Sequence, residues 1–143
     1  MSDSEVLARE LSTTLRRIVL LLRRAVAGQP VTPQQYAVLG SLEGGPRRMT
    51  ELAEEHAVHL PTMTVAINRM EDGGLVTRGS DPADARVRTV ELTEDGRSRL
   101  ASVRRARISY LAAQLETLTP DEREELATVL PLLDKLGRAD PPR

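Results

Sequence analysis

The apolar positions of this chain change rhythm several times. From Ser4 to Ala27 they recur at steps of three and four, through Leu7, Leu11, Leu15, Ile18 and Leu22, which predicts a helix with one leucine-rich face. Val19, Leu20 and Leu21 widen that face, so the helix is expected to bury more than one side. Gly28-Gln29-Pro30 ends it. A second helix opens at Thr32-Pro33-Gln34-Gln35, with Thr32 as N-cap, Pro33 at the first helical position and Gln35 closing a capping box. It runs through Tyr36, Val38, Leu39 and Leu42 and stops at Gly44-Gly45-Pro46. Thr50 is expected to cap a short third helix in "MTELAEEHA". "VHLPTMTVAINRMEDGG" reads as a fourth, with Pro61 tolerated in its first turn and Gly73-Gly74 at its end.

Two β-like runs follow, "LVTR" from Leu75 and "RVRTVEL" from Arg86, around a charged tip that contains Pro82. That tip is too long for a two-residue hairpin turn. Thr93 then caps a long helix carrying Leu100, Val103, Ile108, Leu111, Leu115 and Leu118. Thr119-Pro120-Asp121-Glu122 is another capping box, opening a last helix with Leu126, Val129, Leu130, Leu133 and Leu136. Pro131 is expected to kink it, and "ADPPR" to fray. The predicted fold is mainly α: a compact lobe over 32–93, flanked by helical segments 4–27 and 94–138, with 1–143 forming a single domain. The flanking helices carry more apolar surface than the lobe can cover. The economical cover is a second copy of the chain related by a two-fold axis.

Composition narrows this picture. Phe and Trp are absent and Tyr36 and Tyr110 are the only aromatic residues, so the core is built from Leu, Val, Ile, Ala and Met. The absence of cysteine excludes disulfides, thiolate metal sites and thiol redox sensing. The N-terminal stretch lacks the pattern of a signal peptide, and no run approaches the roughly 20 apolar residues that span a bilayer. The expectation is a cytoplasmic protein without a membrane partner. A net charge of -1 carries no global nucleic-acid signature, so any such argument is local. Lys135 is the only lysine; the other basic side chains are arginines, which favour bidentate contacts.

The local argument starts with the third and fourth helices, whose tight connection at Ala57-Val58-His59 has the rhythm of a helix-turn-helix. Met63, Ile67 and Met70 form a buried stripe on the fourth helix, leaving Thr62, Thr64, Val65, Asn68 and Arg69 on the opposite face. Such a face suits a major groove: threonine offers a hydroxyl and a methyl, and Asn and Arg pair bidentately with adenine and guanine. A merely solvated helix face has the same composition, and the hairpin shifts the balance. Arg78, Arg86 and Arg88 lie on or beside it, where a protruding loop places an arginine in the neighbouring minor groove. Asp84, two residues before Arg86, is positioned to brace its guanidinium. Arg47 and Arg48, just ahead of the third helix, are candidate phosphate contacts, as is His59. Arg104, Arg105 and Arg107 read instead as salt-bridging residues on a long helix.

The stretch "MTELAEEHAVHLPTMTVAINRMEDGGLVTRGSDPADARVRTVELTEDG" resembles the multiple antibiotic resistance regulator (MarR) family of winged-helix transcription factors. Within it "GLVTR", "DPADAR" and "VELTEDG" follow the family pattern, and "DPxDxR" followed by "LTxxG" is a fairly specific combination. The resemblance implies a winged helix-turn-helix with long N- and C-terminal helices forming a dimerisation domain. It implies a recognition helix from Leu60 to Asp72 and a wing from Leu75 to Leu92, with Arg86 as the wing-tip arginine and Asp84 as its supporting acid. Thr64 and Arg69 match positions that often face DNA in the family. It further implies a homodimer that represses at a palindromic operator and releases it when a small aromatic or phenolic effector binds between dimer base and winged helix. The chain departs from the pattern at Val65, where members often carry a basic residue, and at His59 and Leu60, which replace small polar residues.

Rival readings are weaker. His56 and His59, with Glu54 and Glu55 nearby, have the residue types of a metal site, but the helix end between them breaks a shared face. No metal and no cofactor is expected. Tyr36 and Tyr110 are candidates to line an effector pocket or are simply half-buried with hydroxyls at the surface. No Ser-His-Asp order, Gly-rich phosphate loop or Cys nucleophile stands out, so an enzyme is not expected. The remaining alternative is a winged-helix dimer acting as a protein-interaction module without specific DNA binding. The operator sequence, the regulated genes, the effector's identity and repression as opposed to activation are not encoded in these patterns.

Overall fold

The computed structural model describes residues 1–139; residues 140–143, and with them most of the tail expected to fray, lie outside the described part. The elements are α1 (Asp3–Ala25), α2 (Pro33–Ser41), β1 (Arg47–Arg48), α3 (Met49–Glu55), α4 (Leu60–Asp72), β2 (Val76–Ser80), β3 (Arg88–Leu92), α5 (Glu94–Leu115) and α6 (Pro120–Arg138). The chain divides into two compact units, Met1–Arg107 and one beginning at Ile108, so that α5 contributes to both.

In the first unit the local signals act as the sequence implies. Thr32 Oγ1 accepts from the Gln35 backbone N–H at 3.1 Å, while Gln35 Oε1 accepts from the Thr32 N–H at 3.0 Å. α1 is capped in the same reciprocal way by Ser2 and Glu5, and it ends at Ala25, two residues before the expected Ala27. A three-stranded antiparallel sheet has the order β1-β3-β2, with Arg47 opposite Val90 and Val76 opposite Leu92. β1 was not expected, and it corrects the start of α3. Pairing with β3 holds Arg48 extended (φ -71, ψ 145), so Arg48 takes the N-cap position without a side-chain cap and Thr50 falls inside the helix. The strands also shift by a few residues: Gly79 and Ser80 extend β2, and Arg86 and Val87 belong to the tip.

The core of this unit gathers Val38, Leu39, Leu42, Leu52, Met63, Ile67, Met70, Val76, Val90 and Val103, all essentially without solvent exposure. The approach of α5 to this core explains the "LTxxG" spacing. Thr93 Oγ1 accepts from the Gly96 N–H at 3.0 Å and donates to the Gly74 carbonyl at 2.6 Å, while the Thr93 N–H donates to the Leu75 carbonyl at 3.1 Å. This draws the first turn of α5 so near the start of the wing that a Cβ on Gly96 would stand 2.0 Å from the Leu75 carbonyl oxygen. Only glycine permits the approach.

In the second unit, Thr119 and Glu122 form the predicted capping box, and the Thr119 backbone N–H holds the Glu122 carboxyl below its usual value. Arg123 closes the preceding helix end by donating to the Leu118 carbonyl at 2.7 Å. α6 runs unbroken through Pro131, and none of its residues is buried.

Candidate nucleic-acid interface

The turn between α3 and α4 is built by backbone geometry. The Ala57 N–H donates to the Glu54 carbonyl and the Val58 N–H to the Ala53 carbonyl, the paired bonds that close a helix with a left-handed residue. That residue is Ala57, at φ 52, where glycine is usual. α4 then starts at Leu60, with Pro61 in its first turn, and ends through the same bond pair around Gly74 at φ 76. Leu75 thereby leaves the helix directly into the wing.

α4 is two-faced, as its spacing predicts. Met63, Ala66, Ile67 and Met70 are buried, while Thr62, Val65, Asn68 and Arg69 are exposed and Thr64 is half-buried. The Thr64 hydroxyl donates to the Leu60 carbonyl at 2.9 Å, so its proton is already engaged and its oxygen and methyl remain available. Asn68 is engaged too: its Oδ1 accepts from Arg78 Nη2 on β2.

The wing tip is ordered by its two aspartates. Asp81 Oδ1 accepts from the Ala83 N–H at 2.8 Å, and Asp84 Oδ1 accepts from the Arg86 N–H at 3.0 Å, so each acid closes its own turn. Asp84 also receives the Arg86 guanidinium, Nε to Oδ1 at 3.1 Å and Nη2 to Oδ2 at 3.2 Å. This fork is what the sequence implies, and the guanidinium holds the Asp84 carboxyl below the usual carboxylate value. Although braced, the Arg86 side chain remains 91% exposed. The pairing stops it from wandering without hiding its charge. Asp81 takes a partner that no local pattern announces: Arg48, thirty-three residues earlier, donates Nε to its Oδ2 at 3.0 Å. The Ala83 N–H first, and Arg48 second, hold the Asp81 carboxyl below its usual value.

Arg48, Leu60, Thr64, Arg78, Arg86 and Arg88 meet along a cleft of about 650 Å³ between α4 and the wing. A cluster of guanidiniums beside an exposed helix face forms a positively charged hollow of a kind that accepts a phosphate backbone. Other expected contacts lie elsewhere. Arg47 is paired with Glu51 and Glu55. Arg69 lines a separate hollow of about 420 Å³ with Arg23 and the start of α2. His59 is exposed at the N-cap of α4 and supplies no side-chain cap, whereas His56 Nε2 lies 2.9 Å from the Ser41 hydroxyl, so the two histidines face different surroundings. Arg104 forms a two-pronged pair with Glu43, at 2.8 and 2.6 Å, which lowers the Glu43 carboxyl and raises the guanidinium. Arg107 lies 5.0 Å over the Tyr36 ring, and both line a small cavity of about 280 Å³ with Val19, Leu22 and Val26. Tyr110 stands half-buried on α5 in the second unit.

A helix-turn-helix followed by a braced, arginine-tipped hairpin defines the chain as a winged-helix protein of the DNA-binding class. Residues 29–87 match the model described as the MarR family. An uncharacterized HTH-type transcriptional regulator of Mycobacterium bovis is 34% identical over 135 residues, 93% of this chain and 94% of that protein. Among solved structures, the transcriptional repressor CouR bound to a 23-mer DNA duplex aligns at a TM-score of 0.73 and 28% identity, over 92% of this chain and 94% of that one. A structure of BpsR from Bordetella bronchiseptica, concerning regulation of its DNA binding by 6-hydroxynicotinic acid, aligns at 0.74 and 26%, over 98% and 99%. The chain belongs to the MarR family of winged helix-turn-helix transcriptional regulators. It is a DNA-binding regulator and not an enzyme.

Among the described residues, no helix is long and apolar enough to cross a membrane. Two features of the site escaped the sequence reading: the Asn68–Arg78 contact and the Arg48–Asp81 pair. Each joins residues with no periodic or motif relation, ten and thirty-three positions apart. Asp81-Pro82 marks a turn in the sequence, but nothing in it marks which cation that turn captures.

Proposed function

We propose that this protein acts as a homodimer that represses transcription at a pseudo-palindromic operator and is released by a small aromatic or phenolic molecule. The lobe 32–93 carries the reading head, and segments 4–27 and 94–138 form the dimer base. The observation that carries the reading is Arg86, fixed by Asp84 yet open to solvent, beside the exposed Thr62, Val65 and Asn68 and the half-buried Thr64. α4 enters a major groove and Arg86 the adjacent minor groove, with Arg88 and Arg48 along the cleft toward the phosphates. Arg47, Arg69 and His59 take outer positions on the phosphate backbone. The two-fold axis sets two recognition helices about 34 Å apart, one turn of B-DNA.

Exposed Leu7, Leu15, Ile18 and Val19 on α1, and Leu130, Leu132 and Leu136 on α6, support the dimer, because apolar faces of this extent mark interfaces. CouR, described as a repressor, and BpsR, whose DNA binding a hydroxylated aromatic acid regulates, support the output and the type of effector. The cavity beside Tyr36 and Arg107 has room for one ring and offers a cation to a carboxylate or phenolate. Tyr110 is a second candidate for the effector contact.

A salt titration of binding to the protein's own upstream DNA tests the reading. Affinity is expected to fall steeply as salt rises, and Arg86→Ala to weaken binding by roughly 1–3 kcal/mol and to reduce the salt slope by about one. Equal affinity and slope for the variant would remove the wing from the interface. Hydroxylated benzoic and nicotinic acids are expected to shift the titration toward free DNA.

A further inference from the structure

Asn68 lies on the exposed face of α4, and Arg78 lies exposed on β2. The hydrogen bond between them does more than tie wing to helix. A guanidinium has donors only, so the group that meets it must be the Asn68 carbonyl oxygen, and the orientation of the carboxamide is thereby set. Asparagine reads adenine with both ends of that group: Oδ1 accepts from the N6 amino group while Nδ2 donates to N7. With Oδ1 held by Arg78, the side chain presents Nδ2 donors, and the remaining N–H groups of Arg78 add more. A cluster dominated by donors, its one acceptor oxygen turned onto Arg78 with a single lone pair left, matches guanine best, whose major-groove edge offers N7 and O6. Adenine and cytosine each present an amino group there, which meets donors unfavourably.

We infer that Asn68 and Arg78 read one base pair as a unit, selecting guanine and discriminating against the adenine that asparagine alone would prefer. The inference rests on the DNA-binding reading above, with α4 in the major groove. Val65 and Thr64, one turn nearer the start of α4, carry methyl groups and no basic side chain, and Arg69 lines a separate hollow with Arg23, so this pair supplies the donors on the wing side of the outward face.

The test is selection from random duplexes with the full-length protein, as wild type, Asn68→Ala and Arg78→Ala. Both side chains are exposed, so neither truncation opens the core. Asn68→Ala locates the base pair, because preference is lost there. At that position wild type is expected to favour guanine over adenine by on the order of tenfold. Arg78→Ala frees Oδ1, and adenine is expected to rise to at least the level of guanine. Adenine chosen by wild type, a preference unmoved by Arg78→Ala, or no position responding to Asn68→Ala would overturn the pairing. Enrichment of no duplex by wild type, even at low salt, would overturn the DNA-binding reading itself and the pairing with it.

Discussion

The winged lobe and the helices at the chain's ends use the same apolar residues in opposite ways. In the lobe, Leu39, Leu42, Leu52, Met63, Ile67 and Val90 lose all contact with solvent. On α1 and α6, Leu7 keeps 64% of its exposure and Leu132 keeps 65%. The lobe closes because elements of one chain meet from several directions: α2, α3 and α4, a small sheet, and the first turns of α5. A lone amphipathic helix has no such enclosure, and its leucines stay wet until another surface arrives. One copy of the chain therefore suffices to enclose the lobe, while the end helices keep leucines exposed, as the proposed dimer requires.

The contrast is easiest to break at Gly96. Gly96→Ala forces a methyl group into the Leu75 carbonyl, 2.0 Å away, and is expected to cost the lobe roughly 3 kcal/mol or more. The urea midpoint reports it, and a wild-type midpoint would show that α5 can withdraw without loss. Leu15→Glu addresses the other half. Leu15 is exposed in one chain, so the lobe is expected to keep its fold. The proposed dimer is expected to lose about 2 kcal/mol per buried leucine, read by sedimentation as a shift toward monomer. An unchanged dimer with this substitution would place the interface elsewhere.

A gain is expected at Ala57. Its φ of 52 suits glycine better, so Ala57→Gly relieves strain in the helix-turn-helix, by about 0.5–1 kcal/mol at most, partly offset by a freer unfolded chain. A higher melting temperature at unchanged helix content is the expected sign, and a fall would mean that the turn prefers its methyl group.

The smallest effect is at the wing tip. The Asp81 carboxyl is held below its usual value by the Ala83 N–H and then by Arg48. A lowered folded value means that the contribution is complete above the unfolded value near pH 4. It disappears as the pH falls through the lowered folded one. The Ala83 amide resonance is expected to titrate below the ordinary aspartate range and to lose that step in Asp81→Asn. Titration at or above the ordinary range would contradict the pairing.

Much of this was legible in the chain because it is local. Helix starts at Thr32 and Thr119 follow from side chains reaching three residues onward, and the Met63-Ile67-Met70 stripe from the helical repeat. The Asp84–Arg86 fork spans only two residues, so its geometry was foreseeable. Thr50 failed as a cap because β1 pairs with a strand some forty residues later and moves the helix start back to Met49. The ion pairs of Arg47 with Glu51 and Glu55 lie four and eight residues along the chain, and the second of them spans the whole of α3.

The sequence by itself determined the helix starts that carry their own capping boxes, which helix faces are apolar, and that an arginine would stand at the tip of a charged loop. These depend on neighbours within a turn or two, where periodicity and capping act. Tertiary structure alone decided that Arg78 holds the oxygen of Asn68, that Arg48 anchors Asp81, and that Gly96 passes against the Leu75 carbonyl. Each joins residues whose distance along the chain says nothing about their distance in space, and only the packed core brings them together.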